Sequence, residues 1–335
     1  MPDGSSWSLI LLAAAGSAIA LAALTRFADR LPFDRPGPRS LHALPVSRVG
    51  GLAIWAGFLP VALVAPPPFP GHPAVWLLAW ALILVVSLVD DFRGVHPAWR
   101  LASHLVAAVA VAVDIVGAGG AGSAPAATIA VGAAAMVLVW SANLYNFMDG
   151  SDGLAGAMGV CGFAAYGIAA SQAGVPATAC FALVAAILPF LALNAPPARM
   201  FMGDVGAVPL GFLAAAFGLG GWRAGAWPAW FPLLVFLPFI ADATVTLCRR
   251  AWLHERLWEA HKMHYYQRLH QLGASHRGTL LVFGALIVGT AASALASLAI
   301  DPDSGWIVIA AWSCALAVLF GGIEYHWQHH TPTPQ

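Results

Sequence analysis

Eleven apolar stretches, each close to the roughly 20 residues a helix needs to cross a bilayer, divide this chain of 335 residues. They cover 6–25, 48–66, 73–89, 100–118, 126–146, 154–173, 176–194, 205–222, 228–247, 278–299 and 305–323. Backbone in hydrocarbon must bond to itself, so stretches of this length predict helices rather than open sheet. Composition points the same way, since 60% hydrophobic and 9% charged residues lie outside the range of soluble domains. The expected fold is all-α, a polytopic integral membrane protein with about 11 transmembrane helices in one domain over 1–335. The first stretch reads as a span and not a cleaved leader, because no basic segment precedes it and TRFADR follows in place of a small-residue cleavage pattern.

Basic residues set the expected orientation, since Lys and Arg collect on the cytoplasmic side. Arg26, Arg30, Arg35, Arg39 and Arg48 separate spans one and two, Arg93 and Arg100 spans three and four, and Arg199 spans seven and eight. Arg249, Arg250, Arg256, Lys262, Arg268 and Arg277 follow span nine, and Arg223 alone falls on the opposite side. This asymmetry predicts an outside amino terminus and a cytoplasmic carboxyl terminus. Cys161, Cys180, Cys248 and Cys314 sit in or beside apolar runs with no CxxC spacing, as buried small hydrophobes would.

The chemistry-bearing residues then fall on the basic face. The loop DRPGPRSLHALPVSRVGG is rich in Pro, Arg and Gly and is expected to be extended. Topology accounts for Arg26 and Arg30, whereas Ser40, His42, Pro45 and Gly50-Gly51 around Arg39 and Arg48 suit a phosphate or lipid headgroup. Asp90 and Asp91 end span three. Adjacent carboxylates at membrane depth are costly unless a cation or proton shares them, and a divalent metal is the economical answer.

The stretch NLYNFMDGSDGLAG, Asn143 to Gly156, gathers Asn143, Asn146, Asp149 and Asp152 with glycines beside both acids. A hydrogen-bonded turn accounts for one Asp-Gly pair, but less well for the whole set. Asp204, between Gly203 and Gly206, serves either as a helix cap or as a further acid facing the same cleft. Asp242, an ionisable group inside span nine, is a functional candidate by default, though pairing with Arg249 or Arg250 two turns on is an adequate structural account. If HERLWEAHKMHYYQRLHQ is helical, His261 and His264 share a face with Arg268 one turn away. No third ligand of matching character argues for zinc, which leaves a lipid-gripping surface or an anchor for a diphosphate or nucleotide sugar. The outward loops, GAGGAGSAPA among them, carry no clustered chemistry.

Taken in order, RSLHALPVSRVGG, LVDDFRGVHPAWRL, NLYNFMDGSDGLAG, FMGDVGAVPLGF and AHKMHYYQRL resemble the polyprenyl-phosphate N-acetylhexosamine-1-phosphate transferases, glycosyltransferase family 4, over nearly the whole chain. The resemblance implies that a UDP-N-acetylhexosamine gives its sugar-1-phosphate to undecaprenyl phosphate with release of UMP. Magnesium, with manganese as a substitute, would serve as cofactor. It implies catalytic Asp90 and Asp91, metal-binding Asp91 and Asp204, and substrate contacts from Arg39, His42, Arg48, Asn143, Asn146, Asp149, Asp152, His261, His264 and Arg268. It places the enzyme in the bacterial inner membrane with loops 26–47, 90–99, 147–153, 195–204 and 248–277 forming a cytoplasmic active-site face. Its partners are the lipid bilayer and the two substrates, with a homodimer admissible and no nucleic acid implied.

Ala207 stands where many relatives carry Ser after GDxG, and AHKMHYYQ replaces a tighter His-Ile-His-His. Any hydrogen bond from a Ser at 207 is therefore absent, and the chain looks more like the branch that begins O-antigen and other surface glycans than the alternative, a phospho-MurNAc-pentapeptide transferase. A transporter or flippase is the rival class, but transporters place their ionisable residues near the bilayer midplane. These acids crowd one face.

Overall fold

The computed structural model describes residues 4–27, 33–34, 45–65, 71–118, 123–256 and 261–329. Among them the chain forms α1 (Gly4–Arg26), α2 (Gly51–Val64), α3 (Pro73–Arg93), α4 (Pro97–Ala118), α5 (Ala124–Met148), α6 (Leu154–Gln172) and α7 (Thr178–Asn194). It continues with α8 (Asp204–Arg223), α9 (Trp230–Val235), α10 (Leu237–Trp252), α11 (Tyr265–Gln271), α12 (His276–Ile300) and α13 (Gly305–His329). A two-stranded antiparallel ribbon pairs β1 (Phe33–Asp34) with β2 (Val46–Ser47), in keeping with the extended first loop. The protein is thus all-α and polytopic. Among the described residues eight helices are long and apolar enough to cross a membrane, while α2 and α7, of 14 and 17 residues, are shorter.

The ninth apolar stretch departs from the expected continuous span. It breaks at Phe236 into α9 and α10, where Pro238 follows in the first turn of α10 and cannot donate a helical hydrogen bond. The Phe236 ring packs onto Gly162 of α6, which steadies the break.

α8 is the axis of the bundle, with nearly every residue buried, and α3 and α5 pack along it. Lipid tails give helices no hydrophobic reason to associate, so close packing and polar contacts hold the bundle together. Three hydrogen bonds illustrate this: Ser17 Oγ donates to the Ala186 carbonyl at 2.7 Å, Trp55 Nε1 to that of Val205 at 2.6 Å, and Ser141 Oγ to that of Gly211 at 2.7 Å. The start of α2 lies directly against α8, where a Cβ added to Gly51 would stand 2.4 Å from Gly206 Cα. Amides of Gly50 and Gly51 donate to the carbonyls of Phe201 and Met202, both at 2.9 Å, so the segment after β2 is laced to the segment before α8.

Gly51→Ala forces these two backbones apart. The expected cost is about 1–3 kcal/mol, seen as a lowered apparent Tm in detergent; an unchanged Tm contradicts the close approach.

Candidate active site

The end of α3 meets the start of α8 through Asp91, whose residue is 3% exposed. Its Oδ2 accepts the Val205 amide at 2.8 Å and its Oδ1 the Asp204 amide at 3.3 Å, so a carboxylate from one helix caps the amino end of another. Such amides lack intrahelical partners and attract negative charge. Gly203 makes the approach possible. Its φ is +72°, and a Cβ there would stand 2.8 Å from Asp91 Oδ2 and 2.0 Å from the Arg48 carbonyl oxygen. Arg48 secures the junction from β2, donating from Nη2 to the Asp91 carbonyl at 2.6 Å, with Nε 3.6 Å from Asp91 Oδ1.

Arg100, read from sequence only as an orientation signal, is the hub of the neighbouring acids. Its guanidinium lies 2.6 Å from Asp90 Oδ2 and 2.9 Å from Asp204 Oδ2. Asp90 Oδ1 also accepts the Val95 amide at 2.7 Å. The available signal was a basic residue inside the same LVDDFRGVHPAWRL box, but spacing alone does not say which acids it reaches.

The Asn143–Gly156 stretch is the junction of α5 and α6. Asn143 and Asn146 lie three residues apart near the end of α5, and Asn143 Nδ2 donates to the Val139 carbonyl at 2.7 Å. Asp149 follows the helix directly. Burial and the negative charges of Asp204, Asp91 and Asp152 hold its carboxyl well above the usual carboxylate range. Asp152 is engaged within the protein: Oδ2 accepts the Ala198 amide at 2.9 Å, and Oδ1 lies 3.5 Å from His276 Nδ1. Two residues the sequence did not single out complete this clamp. His276 Nδ1 lies 3.2 Å from Ser151 Oγ, and Asn194 joins the Gly153 amide at 3.0 Å to the Met200 carbonyl at 2.9 Å.

The histidine loop is arranged otherwise than expected. The helix begins only at Tyr265, so His261 and His264 precede it, their rings stacked at 4.9 Å. Arg268 is 1% exposed, pairs with Glu324 of α13 and lies 5.4 Å over the rings of Tyr265 and Trp327. It therefore faces α13 and does not join the two histidines in one cluster. The expected pairing of Asp242 with Arg249 or Arg250 is also replaced. Arg249 bonds Glu324 at 2.9 Å and Arg250 bonds Glu255 at 2.7 Å, while Asp242 takes the amides of Tyr265 and Tyr266. The loop reaches the Asp149 region through Tyr266 Oη, which donates to the Phe147 carbonyl at 2.9 Å, and through His264 stacked on Phe147 at 5.9 Å. Arg39 and His42 lie outside the described residues.

Among the described residues no three His, Cys, Asp or Glu side chains form a ready-made metal cage. The donor set fits a different kind of site. Asp90, Asp91 and Asp204 set three carboxylates against the two guanidiniums of Arg48 and Arg100, and a divalent cation that displaced the Asp149 proton would balance the surplus of two charges then left. Magnesium commonly takes one or two carboxylates and completes its shell with water and substrate phosphates.

Residues 73–221, which carry Asp90, Asp91, Asp149, Asp152 and Asp204, match the model of glycosyl transferase family 4. The chain is 29% identical to a decaprenyl-phosphate N-acetylglucosaminephosphotransferase of Mycobacterium tuberculosis, over 87% of this chain and 83% of that protein. It is 26% identical to a probable undecaprenyl-phosphate N-acetylglucosaminyl 1-phosphate transferase of Bacillus subtilis, over 74% of this chain and 72% of that one. An undecaprenyl-phosphate alpha-N-acetylglucosaminyl 1-phosphate transferase of Yersinia pestis is 31% identical over 54% and 53% of the two chains. The matched model and these relatives support the polyprenyl-phosphate N-acetylglucosamine-1-phosphate transferase family for this chain. The matched region ends within α8, and the similarity to the Mycobacterium tuberculosis protein, over 87% of this chain, extends beyond it.

His261 gives a pH test of the loop. Burial, then the charges of His264 and Arg250, push it down to about 4. A depressed histidine makes the folded state bind protons less tightly than the unfolded chain, so stability falls as pH drops from the usual 6.5 towards 4. His261→Gln should flatten that part of a Tm-against-pH curve; an unaltered slope shows that His261 titrates as a solvent-exposed group.

Proposed function

We propose that the protein transfers N-acetylglucosamine-1-phosphate from UDP-N-acetylglucosamine to undecaprenyl phosphate, releasing UMP and beginning a surface polysaccharide of the O-antigen type. The observation that carries this reading is the surplus of carboxylate over guanidinium at one end of an apolar bundle, in a chain whose relatives are named as decaprenyl- and undecaprenyl-phosphate N-acetylglucosamine-phosphate transferases. A lipid-borne phosphate meets such a surface at the membrane boundary, and the asymmetry of Lys and Arg turns that face to the cytoplasm. An oxygen of the acceptor phosphate attacks the β-phosphorus of the donor. The bond between that phosphorus and the bridging oxygen breaks, and the electron pair leaves with UMP.

Asp204 and Asp149 would supply the carboxylates for a cation, and Asp91 holds Asp204 in place through the first amides of α8. Asp90, fixed by Arg100 and the Val95 amide, orients the acceptor phosphate, while Arg48 and Arg100 offset phosphate charge. Asn143, Asn146, His261 and His264 line the nucleotide and sugar end. Magnesium, when bound, neutralises the diphosphate and the departing phosphate.

Purified protein supplied with undecaprenyl phosphate, magnesium and a panel of UDP sugars should release UMP, fastest with UDP-N-acetylglucosamine. Asp204→Asn should lower the rate by at least about 100-fold, and a chelator should abolish it. Release that persists through both changes removes the metal role, and preference for another sugar removes the donor assignment.

Asp149 adds a pH signature. A carboxyl held above its usual range keeps its proton until the pH rises, and a cation competes with that proton. Apparent magnesium affinity should therefore strengthen with rising pH, and Asp149→Asn should remove that dependence; a pH-independent affinity in the unaltered protein contradicts it.

A further inference from the structure

Asp242 lies at the heart of α10 with no exposed surface, and its surroundings are unusual for a charge in an apolar bundle. Oδ1 accepts the Tyr265 amide at 2.9 Å, lies 3.2 Å from His264 Nδ1, and accepts the Thr246 hydroxyl at 3.2 Å. Oδ2 accepts the Tyr266 amide at 2.9 Å. Two amides at the start of a helix, a hydroxyl and an imidazole thus surround the carboxylate, and Asp242 stands to α11 as Asp91 stands to α8.

We propose that Asp242 is a positioning residue for the donor substrate, acting through His264; this rests on the nucleotide-sugar reading of the His264 loop. An ionised carboxylate only accepts hydrogen bonds. His264 Nδ1 therefore carries the hydrogen, and Nε2 is the atom left to meet a ligand. The ring plane is held as well as the tautomer. It is stacked with His261 at 4.9 Å, with Phe147 at 5.9 Å and with Tyr266 at 5.9 Å, at interplanar angles of 30°, 26° and 20°. The same carboxylate fixes where α11 begins, so the tautomer, the plane and the position of His264 share one anchor. Asp242→Asn keeps the volume but replaces one acceptor oxygen by an amide donor, which opposes a hydrogen on either His264 Nδ1 or a helix amide.

The test combines a spectroscopic readout with kinetics on the full-length protein in detergent. With nitrogen-15 histidine, the resonance lost in His264→Gln identifies His264. In the unaltered protein it should show the Nδ1-protonated tautomer, and in Asp242→Asn it should shift towards the Nε2-protonated one. Asp242→Asn should also reduce kcat/KM for UDP-N-acetylglucosamine by about 10- to 100-fold, leaving KM for undecaprenyl phosphate within about twofold. In a His264→Gln background the same substitution should add less than about twofold, as expected of groups acting as one unit. An Nε2-protonated His264 in the unaltered protein, or effects of the two substitutions that multiply, overturns the proposal. If Asp242→Asn does not fold, the tautomer of His264 in the unaltered protein still decides, since Nε2 protonation there overturns the proposal. Absence of UMP release from the unaltered protein would sink the transferase reading alone, since the tautomer of His264 still decides the role of Asp242.

Discussion

The junction between the Asp91 carboxylate and the first amides of α8 is the contact on which the rest of the site depends. A buried carboxylate without partners is costly, and so are helix amides without acceptors. Joined, each satisfies the other, and the end of α3 is tied to the start of the most buried helix of the bundle. Asp204 is the first residue of that helix, so its carboxylate stands where Asp91 puts it. Arg100 then links Asp204 to Asp90, and Arg48 closes the junction from β2. Gly203 is required because its left-handed backbone brings the chain close to both the Arg48 carbonyl and the Asp91 carboxylate.

A second junction of the same kind joins Asp242 to α11. Together the two explain how an apolar bundle holds buried acids without matching each to a basic side chain. The charges are met by oriented amides, which cost no reorganisation when a substrate arrives. The Asp149–Gly153 segment is fixed by different means, through His276, Asn194 and the bond from Asp152 to the Ala198 amide. Three loops on the arginine-rich face are thereby set before any ligand binds. The carboxylates that remain in surplus are those around Asp149 and Asp204.

Much of this was legible in the chain itself. Apolar runs of bilayer length gave the helices, and the acids at Asp90, Asp91, Asp149, Asp152 and Asp204 gave the regions that gather at one end. Partnership was not legible, because local spacing reports which residues share a helix face and says nothing of contacts between residues a hundred or more positions apart. Asp91 reaches Val205, and Ser151 reaches His276, across such separations. Asp242 was matched in sequence to Arg249 and Arg250, yet the amides of Tyr265 and Tyr266 reach it and the arginines find Glu324 and Glu255. Arg268 was grouped with the histidines by spacing, but it turns to α13 because the helix starts one residue after His264. The break at Phe236 leaves little trace in the sequence, because apolarity continues through it and only Pro238 marks it.

The central claim is that sugar and phosphate move together onto the lipid. Its most direct test follows a radiolabel placed on the β-phosphorus of UDP-N-acetylglucosamine, with purified protein, magnesium and undecaprenyl phosphate. The account predicts that the label passes into the organic phase as a lipid-linked diphosphate sugar, in step with UMP left in water. Label retained in the aqueous phase as UDP while the sugar reaches the lipid would contradict it, since that outcome describes transfer of the sugar without its phosphate.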